Sequence, residues 1–334
     1  MSLPALIAVL LGVSLTAYAL FAGADFGGGI LDLLSGNRGE DREAIAATIG
    51  PVWEANHVWL IFSITILFSA FPVAFSALGT ALLAPLTIAL LAIVLRSVAL
   101  GLRASPRGPG RSQVLLSRLF GAASLVAPFA FGVVAGGLAQ VSSSRALGAA
   151  AVPDIPWTST FALTTGALAA VLCAQLAACF VALRLSASDD PRLAEQFRRR
   201  GLQSGACVLL LGLVAPAIAA TAAPSVWHRL IGPALPLVLV GLAAAALSPL
   251  ALSRRRYALA RGACLVTGAA VLWGWFVSQG PHLIGTRLTI HTAAATHAAL
   301  ISIAVAGGLV LLLVLPAMYL LFAVFARPEP EVTE

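Results

Sequence analysis

Lysine is missing from this chain of 334 residues: all twenty basic positions are arginine. Charge of either sign is scarce, at 10% of residues, where a soluble domain carries about 25%. That scarcity, set against 60% hydrophobic residues, excludes a water-soluble globular domain and indicates a polytopic membrane protein. The net charge of +7 does not indicate nucleic acid, because the arginines lie mostly in short loops between apolar runs, a pattern that reports membrane orientation. Cys173, Cys179, Cys207 and Cys264 all sit in apolar stretches and none makes a Cys-x-x-Cys pair, so neither a zinc site nor a disulfide framework is indicated. Methionine occurs only as Met1 and Met318, and no His-x-x-x-His or Glu-x-x-His pair suits a metal. A haem held by this chain's own His/His or His/Met pair is therefore not expected. Gly27-Gly-Gly29 lacks the preceding strand and following lysine of a phosphate cradle. Met1-Ser-Leu-Pro4 lacks a basic n-region, so the first apolar run is expected to be a retained span.

A membrane helix needs about 20 apolar residues. Nine such runs are expected, at 3–34, 52–71, 75–102, 114–139, 158–184, 202–222, 233–252, 258–279 and 294–326. Turn and charge signals separate them, among them Phe71-Pro72, Asp189-Asp-Pro191, Arg254-Arg-Arg256 and Gly280-Pro281. With the N-terminus outside, sixteen arginines fall in inner loops, and only Arg145, Arg229 and Arg287 fall in outer ones. That asymmetry supports nine spans with the C-terminus inside. Residues 1–327 are expected to form one transmembrane helical domain, and 328–334 a disordered tail. Gly23-x-x-x-Gly27 and Gly132-x-x-x-Gly136 permit close helix approach.

Few ionisable residues lie inside the runs: Asp25, Glu54, His57 and Arg96, with Asp32 near the inner interface and His297 near the outer one. In this topology Asp25, Asp32, Glu54, His57 and Arg96 share the inner half of three consecutive spans. A charge at a helix centre is costly, about 3 kcal/mol on insertion scales, so such residues point to function. Glu54 and His57 are three apart and share a helix face, and so do Asp25 and Asp32, seven apart. A desolvated glutamate can load and release a proton near neutral pH. The competing reading is a static buried pair of Arg96 with Asp25 or Glu54 that fixes helix register. For His57 alone the competing reading is a bond to a nearby carbonyl.

Gly23-Ala-Asp-Phe-Gly-Gly-Gly-Ile-Leu31 resembles the Gly-x-Asp-x-Gly-x-Gly-x-Leu segment of subunit II of cytochrome bd-type quinol oxidases. Pro51, Trp53, Glu54, Asn56, Val58, Trp59, Leu60 and Ile61 are similar to that family's next block. Phe71-Pro72, Arg96, Arg103 and the late segment Leu288-Thr-Ile-His-Thr-Ala-Ala-Ala295 extend the likeness. The early blocks cover about the first hundred residues. One departure is Gly101, where the family commonly has an acid.

The resemblance implies an all-α fold of nine transmembrane helices, in two four-helix bundles plus one peripheral helix. It implies an obligate haem-bearing partner, subunit I, holding two b haems and a d haem, with none ligated by this chain. The complex would oxidise quinol outside and reduce dioxygen with protons from the cytoplasm, without pumping, in the bacterial inner membrane. Small single-helix accessory chains and a bound quinone or lipid are left open. By carry-over Glu54 is the main proton relay and Asp25 a second one, with Arg96 and His57 in support. Trp53, Trp59 and Asn56 are expected at the interface or in packing. The rival reading is a stand-alone proton-coupled transporter using the same acids. It lacks a visible internal repeat, and its acids crowd one leaflet instead of the midplane. A third reading is an assembly subunit with no relay.

Overall fold

A computed structural model describes residues 2–35, 39–103, 111–141, 155–187, 190–284 and 288–325. Side chains are described at these positions except 49–55, 111, 315, 318, 319 and 321–325. The expected tail at 328–334 lies outside the described residues.

The described residues are helical almost throughout. The long helices are α1 (Leu3–Leu34), α2 (Gly39–Ala70), α4 (Leu83–Arg103), α5 (Arg111–Ala139), α6 (Thr160–Leu185), α7 (Pro191–Ala222), α9 (Leu235–Ser253), α10 (Tyr257–Gln279) and α11 (His297–Phe325). Two short helices, α3 (Pro72–Ala81) and α8 (Pro224–Leu230), lie in the connections. A two-stranded antiparallel hairpin, β1 (His282–Ile284) and β2 (Leu288–Thr289), precedes α11. Among the described residues eight helices are long and apolar enough to cross a membrane, or nine if the bent pair Asn56–Ala70 and Pro72–Ala81 counts as one.

Three boundaries depart from the sequence reading. The run 75–102 is not one span: Pro72 starts a separate helix bent by 115° from the preceding one, and the chain breaks again at Leu82. Proline lacks the N–H that would continue α2, and it pushes Phe71 out of helical geometry, at φ −132°. The span proper is α4, whose 21 residues reach about 31 Å, enough for the bilayer core. Second, α2 begins at Gly39, well before 52. Third, α7 begins at Pro191, with Asp190 as its cap accepting from the Leu193 amide at 3.0 Å. Both extensions are polar helix that a search for apolar runs passes over.

Small residues set the packing. α1 packs against α2, α5, α6 and α10, α6 against α5, α7 and α10, and α9 against α7 and α10. A Cβ on Gly27 would collide with the Cys173 carbonyl of α6, and one on Gly29 with Ser124 of α5. On α5, a Cβ on Gly132 would lie 2.6 Å from the Thr165 carbonyl, and one on Gly136 2.7 Å from Ala162 Cα. Close backbone approach of this kind is what holds helices together where lipid removes the hydrophobic drive. Among the described residues α11 touches only α1 and α2 closely, and an apolar groove of about 390 Å3 opens between it and α2 beside Val58, Phe62 and Ile303.

Candidate functional site

The ionisable residues of α1 and α4 meet as two rungs. Asp25 and Asp32 are seven apart on one helix, Arg96 and Arg103 seven apart on the other. The order of pairing, Asp25 with Arg96 and Asp32 with Arg103, requires the two helices to run parallel. That is what two intervening reversals of direction produce. α4 packs on α5 rather than directly on α1, so the long arginine side chains span the gap.

The first rung is buried: Asp25 is 6% exposed, Arg96 3% and Asn56 2%. Arg96 donates through Nη1 to Asp25 Oδ2 at 2.8 Å, through Nη2 to Asp25 Oδ1, and through Nη2 to the Asp25 carbonyl at 3.3 Å. Its Nε donates to Ser124 Oγ at 2.8 Å. Asn56 Nδ2 of α2 donates to Asp25 Oδ2 at 3.2 Å. Both carboxylate oxygens thus receive donors, as a bidentate arginine pair allows. The rings of Phe26 and Phe120 flank the guanidinium at 5.0 and 4.9 Å.

The second rung lies nearer the helix ends. Arg103 Nη1 donates to Asp32 Oδ2 at 3.0 Å, and Arg42 Nε approaches Asp32 Oδ1 at 3.4 Å. Arg42 also donates to Ser117 Oγ at 3.1 Å. The Phe120 centroid is 4.8 Å from Arg103 as well. Seven residues rise about 10 Å along a helix, so the ring stands between the two guanidiniums. Cation–π contact on both sides lets one phenylalanine separate two like charges in an apolar setting.

A third polar contact joins the two helical extensions. Buried Asp41 of α2 accepts from Arg200 Nη2 at 2.8 Å and from Gln196 Nε2 at 2.9 and 3.1 Å, both on α7.

The structure therefore brings together Asp25, Arg96 and Asn56. His57 is the next residue on α2 and is half-buried. Trp59 is 4% exposed and packs in the cluster of Phe26, Ala92 and Cys173, with its indole Nε1 unpartnered. The side chains of Trp53 and Glu54 lie outside the described residues. Sequence reasoning missed the roles of Asn56, Phe120 and Ser124. The matched seven-residue spacings on α1 and α4 were the available signal for the ladder. Nothing local flagged the Asp41–Arg200 contact, whose partners are 159 positions apart.

His57 and His297 lie far apart. The Ala295 amide bonds the Ala70 carbonyl, which sets the start of α11 beside the far end of α2. His297 is thus about 20 Å along α2 from His57. No group of three or more His, Cys, Asp or Glu suited to a metal occurs among the described residues.

Comparison with known proteins gives one family. The model of the family described as cytochrome bd terminal oxidase subunit II matches residues 3–325. Cytochrome bd ubiquinol oxidase subunit 2 of Bacillus subtilis (strain 168) is 34% identical over 95 residues, 28% of each chain. Cytochrome bd-I ubiquinol oxidase subunit 2 of Escherichia coli (strain K12) is 29% identical over 132 residues, 40% of this chain and 35% of that one. The chain thus aligns with about a third or less of the length of these curated relatives. A chain from the solved bd oxidase of Geobacillus thermodenitrificans superposes with a TM-score of 0.80 at 22% identity, covering 97% of this chain and 99% of that one. That likeness speaks for the fold.

Proposed function

The chain belongs to the cytochrome bd terminal oxidase subunit II family, and from that premise we propose that it is the haem-free companion of a haem-bearing subunit I. In this reading the pair sits in the bacterial inner membrane, with the N-terminus outside and the C-terminus in the cytoplasm. It oxidises quinol and reduces dioxygen to water. The two b haems and the d haem belong to the partner.

This chain's part is to hold a proton route on the cytoplasmic side. The observation that carries the reading is the buried chain Arg96–Asp25–Asn56. It ties α2 to α1 and α4 two residues from Glu54. Asp25 has both oxygens engaged by charge-assisted or polar donors from Arg96 and Asn56. Asp25 then serves mainly as the anchor for α2, and Glu54 is the residue that moves protons. A glutamate in that role acts as a positioned acid and base, whose removal costs about 100-fold or more in rate. His57, half-buried one turn further along α2, supports the route. The two four-helix groups, α1, α2, α4 and α5 beside α6, α7, α9 and α10, leave α11 at the edge.

The test is Glu54→Gln and Glu54→Ala in the purified complex. Quinol oxidase turnover is expected to fall by about 100-fold while the haem absorbance spectrum keeps its wild-type form. Turnover at the wild-type level in both variants removes the relay role. Loss of the haem spectrum assigns Glu54 a structural role instead.

A further inference from the structure

At the end of the molecule remote from the Asp32–Arg103 rung, a cavity of about 100 Å3 opens between the end of α5, α8, the end of α10 and β1. Its polar wall comes from Ser225, Arg229, Ser278, Gln279 and His282. That is room for more than one water, or for one tetrahedral oxyanion.

Arg229 is half-buried, and its side chain has no hydrogen-bond or ion-pair partner among the described residues. The sequence gives it little choice of partner. Of the thirteen Asp and Glu residues, only Asp154 falls in the connections at this end, 140–159, 223–234 and 280–296, and it lies outside the described residues. The other arginines paired above all find carboxylates within the chain.

The backbone also accommodates this guanidinium. Gly280 has φ +65°, a conformation that favours glycine. A Cβ there would take the place of Arg229 Nη1. Any other residue would therefore expel the arginine from its seat against the α10 terminus. Around that seat the side chains of Ser225, Gln279 and His282 supply further donors with no protein acceptor among the described residues.

We propose that this cavity binds a phosphate-bearing anion, with Arg229 as the charged contact and Ser225, Gln279 and His282 as additional donors. Arginine presents a planar fork that matches phosphate oxygens. The position at the ends of α5, α7 and α10 is the level of lipid headgroups, so the phosphate comes from an anionic phospholipid or from solution.

The experiment uses the full chain purified with its partner subunit and stripped of lipid in a neutral detergent. Dioleoylphosphatidylglycerol, or sodium phosphate at ionic strength matched with chloride, is titrated while the thermal midpoint is read. Bound lipids are counted by native mass spectrometry. The wild type is expected to show a saturable rise. In Arg229→Gln the half-saturating concentration increases about tenfold or more, the loss of one charge-assisted contact. Gly280→Ala gives the same loss with Arg229 retained, and Arg229→Lys keeps part of the response. A rise with phosphatidylglycerol alone assigns a headgroup; a rise with inorganic phosphate as well assigns a general oxyanion site. No saturable response to either probe in the wild type overturns the proposal. So does an unchanged half-saturation in Arg229→Gln or, should that variant not fold, in Gly280→Ala. Oxidase activity plays no part in the readout, so the outcome is independent of the proton-route reading.

Discussion

A guanidinium and a carboxylate taken out of water cost several kcal/mol each, and only near-complete coordination offsets this. Arg96 meets that demand through Asp25, the Asp25 carbonyl, Ser124 and two aromatic rings. Removing one member strands the other. Asp25→Ala is expected to destabilise the folded complex by about 3–5 kcal/mol, because Arg96 keeps its charge with no counter-ion. Asp25→Ala combined with Arg96→Ala removes both charges and is expected to be less damaging than Asp25→Ala alone. Asn56→Ala loses one bond to a charged acceptor, about 1.5–3 kcal/mol. Thermal midpoints of the three variants in one detergent check the order. A double variant no better than the single would show that the pair is not coupled in this way.

At the scale of helices, glycine has opposite meanings at two positions. Gly27 faces the Cys173 carbonyl of α6, a backbone atom that cannot turn aside. Gly27→Ala is expected to push α1 and α6 apart and cost about 1–3 kcal/mol, the usual range for overpacking. Gly101 of α4 is exposed and an added Cβ meets nothing within 4 Å. Gly101→Ala is expected to stabilise α4 by about 0.5–1 kcal/mol. Opposite shifts in the unfolding midpoint would distinguish the two roles; equal shifts would show that neither packing nor helix propensity governs them. The glycine spacings of α1 and α5 were readable because close approach demands a small residue at fixed intervals. The Asp25/Asp32 and Arg96/Arg103 spacings were readable for a similar reason. The break at Phe71-Pro72 was marked by its proline; what composition could not reveal was the second break at Leu82, which makes 72–81 a helix of its own. Residues 72–81 are as apolar as a span, and hydropathy carries no direction. The extensions beginning at Gly39 and Pro191 escaped because their helices are polar, although the Asp190-Pro191 start signal was there. Their contact through Asp41 and Arg200 depends on tertiary placement and leaves no local trace.

Across the whole molecule, charge is divided unequally between the two ends. Asp32 with Arg42 and Arg103, Asp41 with Arg200, and Glu195 with Arg198 gather at the end reached by the arginine-rich loops. The opposite end carries α3, α8 and the hairpin, with few charges of either sign. Arginine is retained on the cytoplasmic side of short loops, so the first end should face inward. Thr292, between β2 and α11, and Ser253, at the end of α9, are both exposed and lie at opposite ends. In a Cys207→Ala background, which removes the one exposed native thiol, a membrane-impermeant maleimide is expected to label Thr292→Cys in intact cells. Ser253→Cys is expected to react only after permeabilisation. The reverse result would invert the molecule and move the Asp25–Arg96 ladder away from the cytoplasmic proton supply. Labelling of both from outside would mean that the number of crossings between them is even, which the single helix α10 does not allow.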